Sequence, residues 1–309
     1  MDEVRLRPLS IAEIFDRAIT LYVRNFVPFL IVAAFVAVPM AIAQYYMGAA
    51  NGQTWQQILA QAQHPGSTPI DNTPPIDPMA GMVMLFAICA QPFMYVAMAA
   101  LVGRIYRGEP PEWPAAYDRA LRHTGGIIMT LLCAAGIFLL SAFGLVMLFV
   151  FLAVIAAAAF RASAPVGVAF FGVIALVMLC FFELLFLIGL SVSMALNAIG
   201  IEEAPFGVAL REGFARVFNR TEIKKAALLV LAMAAIQFGV IFLNMGLQGV
   251  TEMVFHAPLL DALCTGVVLL LSSGFSAVLV AVYYFDVRVR REGLDVQAAL
   301  DAIAVPTHT

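Results

Sequence analysis

Charge is what this 309-residue chain has least of: 12 % of its residues are Asp, Glu, Lys or Arg, where an ordinary soluble domain carries about a quarter. A surface that poor in charge does not suit water, and with 63 % hydrophobic residues and a mean hydropathy of +0.95 the chain reads as a membrane protein. Cysteine is also scarce. Cys89, Cys133, Cys180 and Cys264 fall far apart inside apolar runs and without metal-ligand spacing, so they are expected to be buried thiols and no metal site is expected. The four histidines, His64, His123, His256 and His308, form no ligand cluster with acids. Phosphate-binding loops, H-E-x-x-H, G-x-S-x-G and dinucleotide fingerprints are missing, so an enzyme is not expected, no catalytic residue is assigned and no cofactor is implied. Nothing points to a nucleic-acid partner. The charged start "MDEVRLRPLS" lacks a short apolar stretch with a small-residue cleavage site, so a cleaved signal peptide is not expected.

What the chain does have is long apolar runs, at about 26–47, 79–103, 126–160, 166–200, 226–250 and 259–285. An α-helix needs about 20 residues to cross roughly 30 Å of hydrocarbon. The expected fold is an all-α polytopic membrane helix bundle with about six transmembrane helices. The third and fourth runs exceed one perpendicular crossing and must tilt, protrude or break. Breaking both would give eight spans, but neither contains a polar turn, which favours six.

With six spans, 16 of the 17 basic residues fall on one side and Arg161 alone on the other. Cytoplasmic loops hold the excess of Lys and Arg, so both termini are expected inside and the basic-free loop from Gly48 to Pro78 outside. An eight-span chain would bring Arg161 inside as well and would leave both termini where they are.

"FDRAI" at 15–19 returns as "YDRAL" at 117–121, and "FGVALREGFARVF" at 206–218 occupies the same place before the fifth run. The expected organisation is one membrane domain over 1–290, built of three parallel repeats at 1–103, 104–200 and 201–290, with a cytoplasmic tail at 291–309. An amphipathic interfacial helix would lead each repeat. In the first, Ser10 and Glu13 form a capping pattern, and Ile11, Ile14, Phe15, Ala18 and Tyr22 share a face opposite Glu13, Arg17, Thr20 and Arg24. Acid–arginine pairs recur at i,i+4: Glu13 with Arg17, Asp118 with Arg122, Glu212 with Arg216. Arg17, Arg119, Arg122, Arg211 and Arg216 are the candidate contacts for anionic headgroups or a partner.

Within the spans, Glu183 stands at the middle of the fourth run, where an ionised acid costs about 3 kcal/mol. It is expected to be neutral or to face a wet cavity. Gln91, Gln237, Ser272 and Ser273 are placed at similar depth. Two readings stay open: interhelical hydrogen bonding, or a polar midplane site for a proton, ion or headgroup.

"RPLSIAEIFDRAITLYVRNFVPFL", "EEAPFGVALREGFARVF" and "YYFDVRVRREGLD" resemble the bacterial multi-pass proteins grouped with the membrane domain of glycerophosphoryl diester phosphodiesterases. The resemblance covers most of the chain and none of a catalytic barrel. It implies the bacterial cytoplasmic membrane and a lipid-associated setting, with membrane lipids and other membrane proteins as partners. The function expected is a non-enzymatic scaffold or accessory subunit of an envelope or lipid-handling assembly. The alternative is a small transporter, channel or lipid-translocating protein that uses the polar site around Glu183.

Overall fold

The computed structural model describes residues 8–63, 78–162, 164–251 and 258–292, with side chains at 47–63 and in most of 158–171 left aside. Among the described residues there are helices and no strands. In chain order they are α1 (Ile11–Arg24), α2 (Phe26–Gln63), α3 (Pro78–Tyr106), α4 (Trp113–Arg122), α5 (Thr124–Ala162), α6 (Ala164–Glu202), α7 (Phe206–Val217), α8 (Ile223–Val250) and α9 (Pro258–Glu292). Six of these are long and apolar enough to cross a membrane: Phe26–Tyr46, Pro78–Tyr106, Thr124–Ala157, Gly172–Glu202, Ile223–Val250 and Leu259–Arg291. The protein is therefore a multi-pass helical membrane protein, with six candidate spans among the described residues. The two long apolar runs stay whole, as α5 and α6 of 39 residues each. At 1.5 Å per residue each is about 58 Å long, nearly twice the hydrocarbon thickness. α2 runs on to Gln63, through the first half of what was expected to be the outer loop from Gly48 to Pro78. The segment 64–77 and the tail from residue 293 lie outside the described residues.

The helix order is short, long, long, three times over. The chain forms two compact units, one of Met1–Ile11, His123–Met233 and Tyr283–Thr309, the other of Ala12–Arg122 and Ala234–Val282. In the second unit α2 packs on α3, and α4 lies against both. Tyr22 of α1 meets α9 there, its ring 6.1 Å from Phe275. Gly274 makes room for it, since a Cβ at that position would stand 2.9 Å from the Tyr22 hydroxyl. In the first unit α5 packs on α6 and α7 lies back on α6. The reversal is made at Glu203, whose φ of 56° lies in the left-handed region, and at Pro205, which starts α7. Gly213 lets α7 approach the α6 backbone: a Cβ there would come within 2.9 Å of the Ala195 nitrogen.

Burial concentrates in the last half of each third helix. Val96 to Gly103 of α3 is buried without a break, as are Met194 to Ile201 of α6 and Ser276 to Tyr284 of α9. These stretches are rich in Ala, Gly, Ser and Val, the small residues that let helices approach closely in a medium giving no hydrophobic drive. The cysteines depart from expectation. All four are free, yet Cys89 and Cys180 are exposed and Cys133 and Cys264 half-buried. An apolar run in a membrane protein can turn its side chains to lipid, so an apolar neighbourhood in sequence does not mean burial in protein.

Candidate functional site

Two clusters of charged groups in the first unit lie at the ends of spans. At the end of α6, Glu202 Oε1 accepts from Arg216 Nη2 at 3.3 Å and from the Tyr284 hydroxyl, and forms an ion pair with Arg288 Nε at 3.2 Å. The Arg216 guanidinium lies over the Tyr284 ring, 4.6 Å from its centroid. The second cluster is built on Asp286, whose side chain is fully buried. Its Oδ1 accepts the Leu9 backbone N–H at 2.6 Å, and its Oδ2 accepts from Lys225 Nζ and, at 3.1 Å, from Arg290 Nε. Lys225 Nζ and Arg290 Nη2 also donate to the Leu9 carbonyl, each at 2.6 Å. The backbone of Leu9 is thus held at both polar groups, just before α1 begins. Breaking such a buried pair by removing one partner costs about 3–5 kcal/mol, because the other charge is left without compensation.

The arginines named from sequence divide between surface and interior. Arg122 pairs with Asp118 at 2.5 Å across one exposed turn of α4, as expected. Arg211 is exposed and reaches Glu212 at 3.5 Å. Arg17 lies 5.7 Å from the centroid of the Tyr106 ring, and Arg119 is half-buried. Arg216 corrects the expectation of a surface contact. Its side chain is only 5 % exposed and its carboxylate is Glu202, because α7 folds back onto the end of α6 and turns this arginine inward.

The polar residues within the spans do not all lie at one depth along their helices. Gln91 is 13 residues from Arg104 and Gln237 12 from Lys225, rises of about 20 and 18 Å. Gln237 donates to Ser276 Oγ at 2.9 Å. Ser276, buried and 12 residues from Arg288, was not among the sequence candidates. The matching distances of Gln237 and Ser276 from their basic helix ends are the signal that could have found it. Ser272 turns back on its own helix to the Leu269 carbonyl at 3.4 Å, and Ser273 Oγ is buried without a hydrogen-bond partner among the described residues. Gln91 is exposed, and Glu183, in the other unit, is half-buried. Glu183 stands 19 residues from Glu202 on α6, a rise of about 28 Å. Measured from that end, an upright α6 would carry it to the far boundary of a 30 Å core, and only a steep tilt would return it to the centre.

Two apolar grooves flank α2 in the second unit. One, of about 580 Å³, lies among α2, α3 and α4 and includes Phe35, Phe86, Cys89, Trp113, Tyr117 and Leu121. The other, of about 590 Å³, lies between α2 and α9 and includes Tyr45, Tyr46, Leu263 and Val267. Among the described residues no group of three or more His, Cys, Asp or Glu is placed to hold a metal ion. Comparisons of the chain with family models, with curated proteins and with solved structures find no match.

Proposed function

We propose that this chain is a non-enzymatic integral membrane protein of the bacterial cytoplasmic membrane, a scaffold or accessory subunit of a lipid-handling or envelope assembly. The observation that carries this reading is the Asp286 cluster, which spends a buried acid, a lysine and an arginine on fastening the backbone of one residue, Leu9. Charges engaged in this way stabilise a fixed arrangement of helix ends and leave little freedom for chemistry. Leu9 and Asp286 come from two of the three stretches that resemble the phosphodiesterase membrane domain. The lipid-associated setting rests on that resemblance.

The basic helix ends support the orientation in which both termini face the cytoplasm. Reporter fusions at residues 65 and 115 are expected to report opposite sides, and the same sidedness would refute this topology.

A second reading, transport or lipid translocation, draws on Glu183, for which the described residues supply no ion-pair or hydrogen-bond partner. Cysteine substitutions at Gln91, Glu183 and Gln237 in a cysteine-free background separate the two. Uniform protection from a water-soluble thiol reagent is expected of the scaffold. Labelling at all three depths would instead require a wet path and would replace the scaffold reading with transport.

A further inference from the structure

The groove among α2, α3 and α4 has a feature that its counterpart between α2 and α9 lacks. Its wall on α4 is made by Trp113, Tyr117 and Leu121, spaced i, i+4, i+8 and so stacked on one helix face. The next face of the same helix carries Asp118 and Arg122, a pair at 2.5 Å whose side chains are 57 % and 74 % exposed. Apolar cavity and exposed guanidinium therefore adjoin on one ten-residue helix. The groove is lined almost wholly by apolar atoms. Phe35 meets Phe86 at 5.9 Å and Tyr117 at 5.3 Å, and the Tyr117 hydroxyl donates to the Val32 carbonyl at 2.8 Å.

We propose that this groove holds an acyl chain of an anionic phospholipid whose headgroup phosphate is bound by Arg122. The inference rests on the reading of Arg119 and Arg122 as headgroup contacts and names the site at which one of them acts. Three observations commit the groove to this occupant. First, two of its walls, α2 and α3, are spans, so the fluid that fills it is hydrocarbon. Second, Ile31 and Phe35 lie 6 and 10 residues beyond Asn25, about 9 and 15 Å into α2, so the α2 wall lies within one leaflet of a 30 Å core, while the α3 wall, from Phe93 to Phe86, runs about 16–27 Å from Arg104 and reaches past it. Third, the pair that holds Arg122 is exposed, and such pairs are weak, so a phosphate can take the guanidinium from Asp118 at little cost. Because the bilayer is as apolar as the groove, the chain gains little by entering. Discrimination among lipids then falls to the headgroup. The groove between α2 and α9 supplies the internal control, since residues 26–63 and 258–270 contain no Lys or Arg.

Trp113 is a natural reporter, because Trp55 is the only other tryptophan. The Trp55→Phe protein is reconstituted in phosphatidylcholine vesicles that contain a minor fraction of either dibrominated phosphatidylglycerol or dibrominated phosphatidylcholine, whose bromines quench indole on contact. Phosphatidylglycerol is expected to be enriched about five-fold at Trp113, the factor that one basic contact at a membrane surface supplies. Arg122→Gln should abolish the preference and leave quenching by phosphatidylcholine intact. Cys89→Phe, which fills the groove, should reduce quenching by both lipids with unchanged thermal stability. Tyr46→Trp, in a background that also carries Trp55→Phe and Trp113→Phe, should report no preference. Equal quenching by the two lipids at Trp113 overturns the proposal. So does a preference that survives Arg122→Gln, which would assign it to the general charge of the surface, or quenching that Cys89→Phe leaves unchanged. None of these outcomes touches the scaffold reading, which stands or falls on thiol accessibility within the spans.

Discussion

α3 and α5 are both spans free of internal charge, yet they meet opposite surroundings. From Val96 to Gly103 every residue of α3 is buried, whereas from Ala135 to Ile155 of α5 none is, and Leu139 and Leu140 are 71 % and 74 % exposed. The difference follows residue size. The buried stretch reads "VAMAALVG" and the exposed one is crowded with Leu, Phe, Val and Met. In water the larger side chains would be the ones to bury. In a bilayer they lose nothing by facing lipid, and the small residues are kept for helix contacts. Polar groups divide in the same way: Asp286 of α9 is enclosed by its partners, and Asp118 of α4 is left in the open.

The sharpest way to break the comparison is at these two acids. Asp286→Ala should destabilise the protein by about 3–5 kcal/mol in thermal unfolding in detergent, while Asp118→Ala should move it by about 0.5 kcal/mol or less. Equal losses would remove the distinction. Next come the apolar side chains: Met194→Ala, in the fully buried end of α6, should cost about 2–5 kcal/mol, and Phe149→Ala, 55 % exposed on α5, much less. A smaller test adds a methyl group. Gly213→Ala pushes a Cβ into the α6 backbone and should cost about 1–3 kcal/mol, whereas Gly144→Ala meets nothing within 4 Å and should be neutral or slightly stabilising.

The smallest effect is a pH dependence. Burial pushes the Tyr22 hydroxyl up to about 12 from the usual 10. The neutral form is favoured by folding, so this contribution is fully present below pH 10 and is lost as pH rises toward 12. Tyr22→Phe should flatten that alkaline limb of the stability profile. An unchanged limb would show that α1 is not enclosed against α9. The exposed Glu109 gives the opposite sign: a hydrogen bond from Arg107 holds its carboxyl below the ordinary range, so its small contribution is present at neutral pH and is lost on acidification.

The spans were legible in the sequence because length and apolarity suffice to define them. What sequence could not supply was the direction in which a helix turns its polar groups. Arg216 sits four residues after Glu212 and so read as half of an exposed pair. Its partner Glu202 lies 14 residues earlier and is reached only because the chain reverses at Glu203. Ser272 and Ser273 were expected at the depth of Gln237, and Ser276, one turn on, is the one that meets it. Which of the three faces α8 is decided by packing; the distance from the basic helix end matches Ser276 to Gln237 in depth, and periodicity says nothing of the direction. The end of α2 was missed for a different reason. From Gly48 to Gln63 the sequence turns polar without a proline, and a change of solvent preference does not by itself end a helix.

The Leu9–Asp286 hydrogen bond spans 277 residues of chain. At about 5–20 residues per second of synthesis, the peptide before α1 exists for about 14–55 s before its acceptor is made. Throughout that time the first two helices must insert and hold without it. The last span therefore does more than complete the count: its arrival closes the unit to which the first residues belong, and a chain interrupted before Asp286 would leave the Leu9 N–H without its acceptor and Lys225 without its acid. For this protein the order of manufacture and the order of assembly cannot coincide.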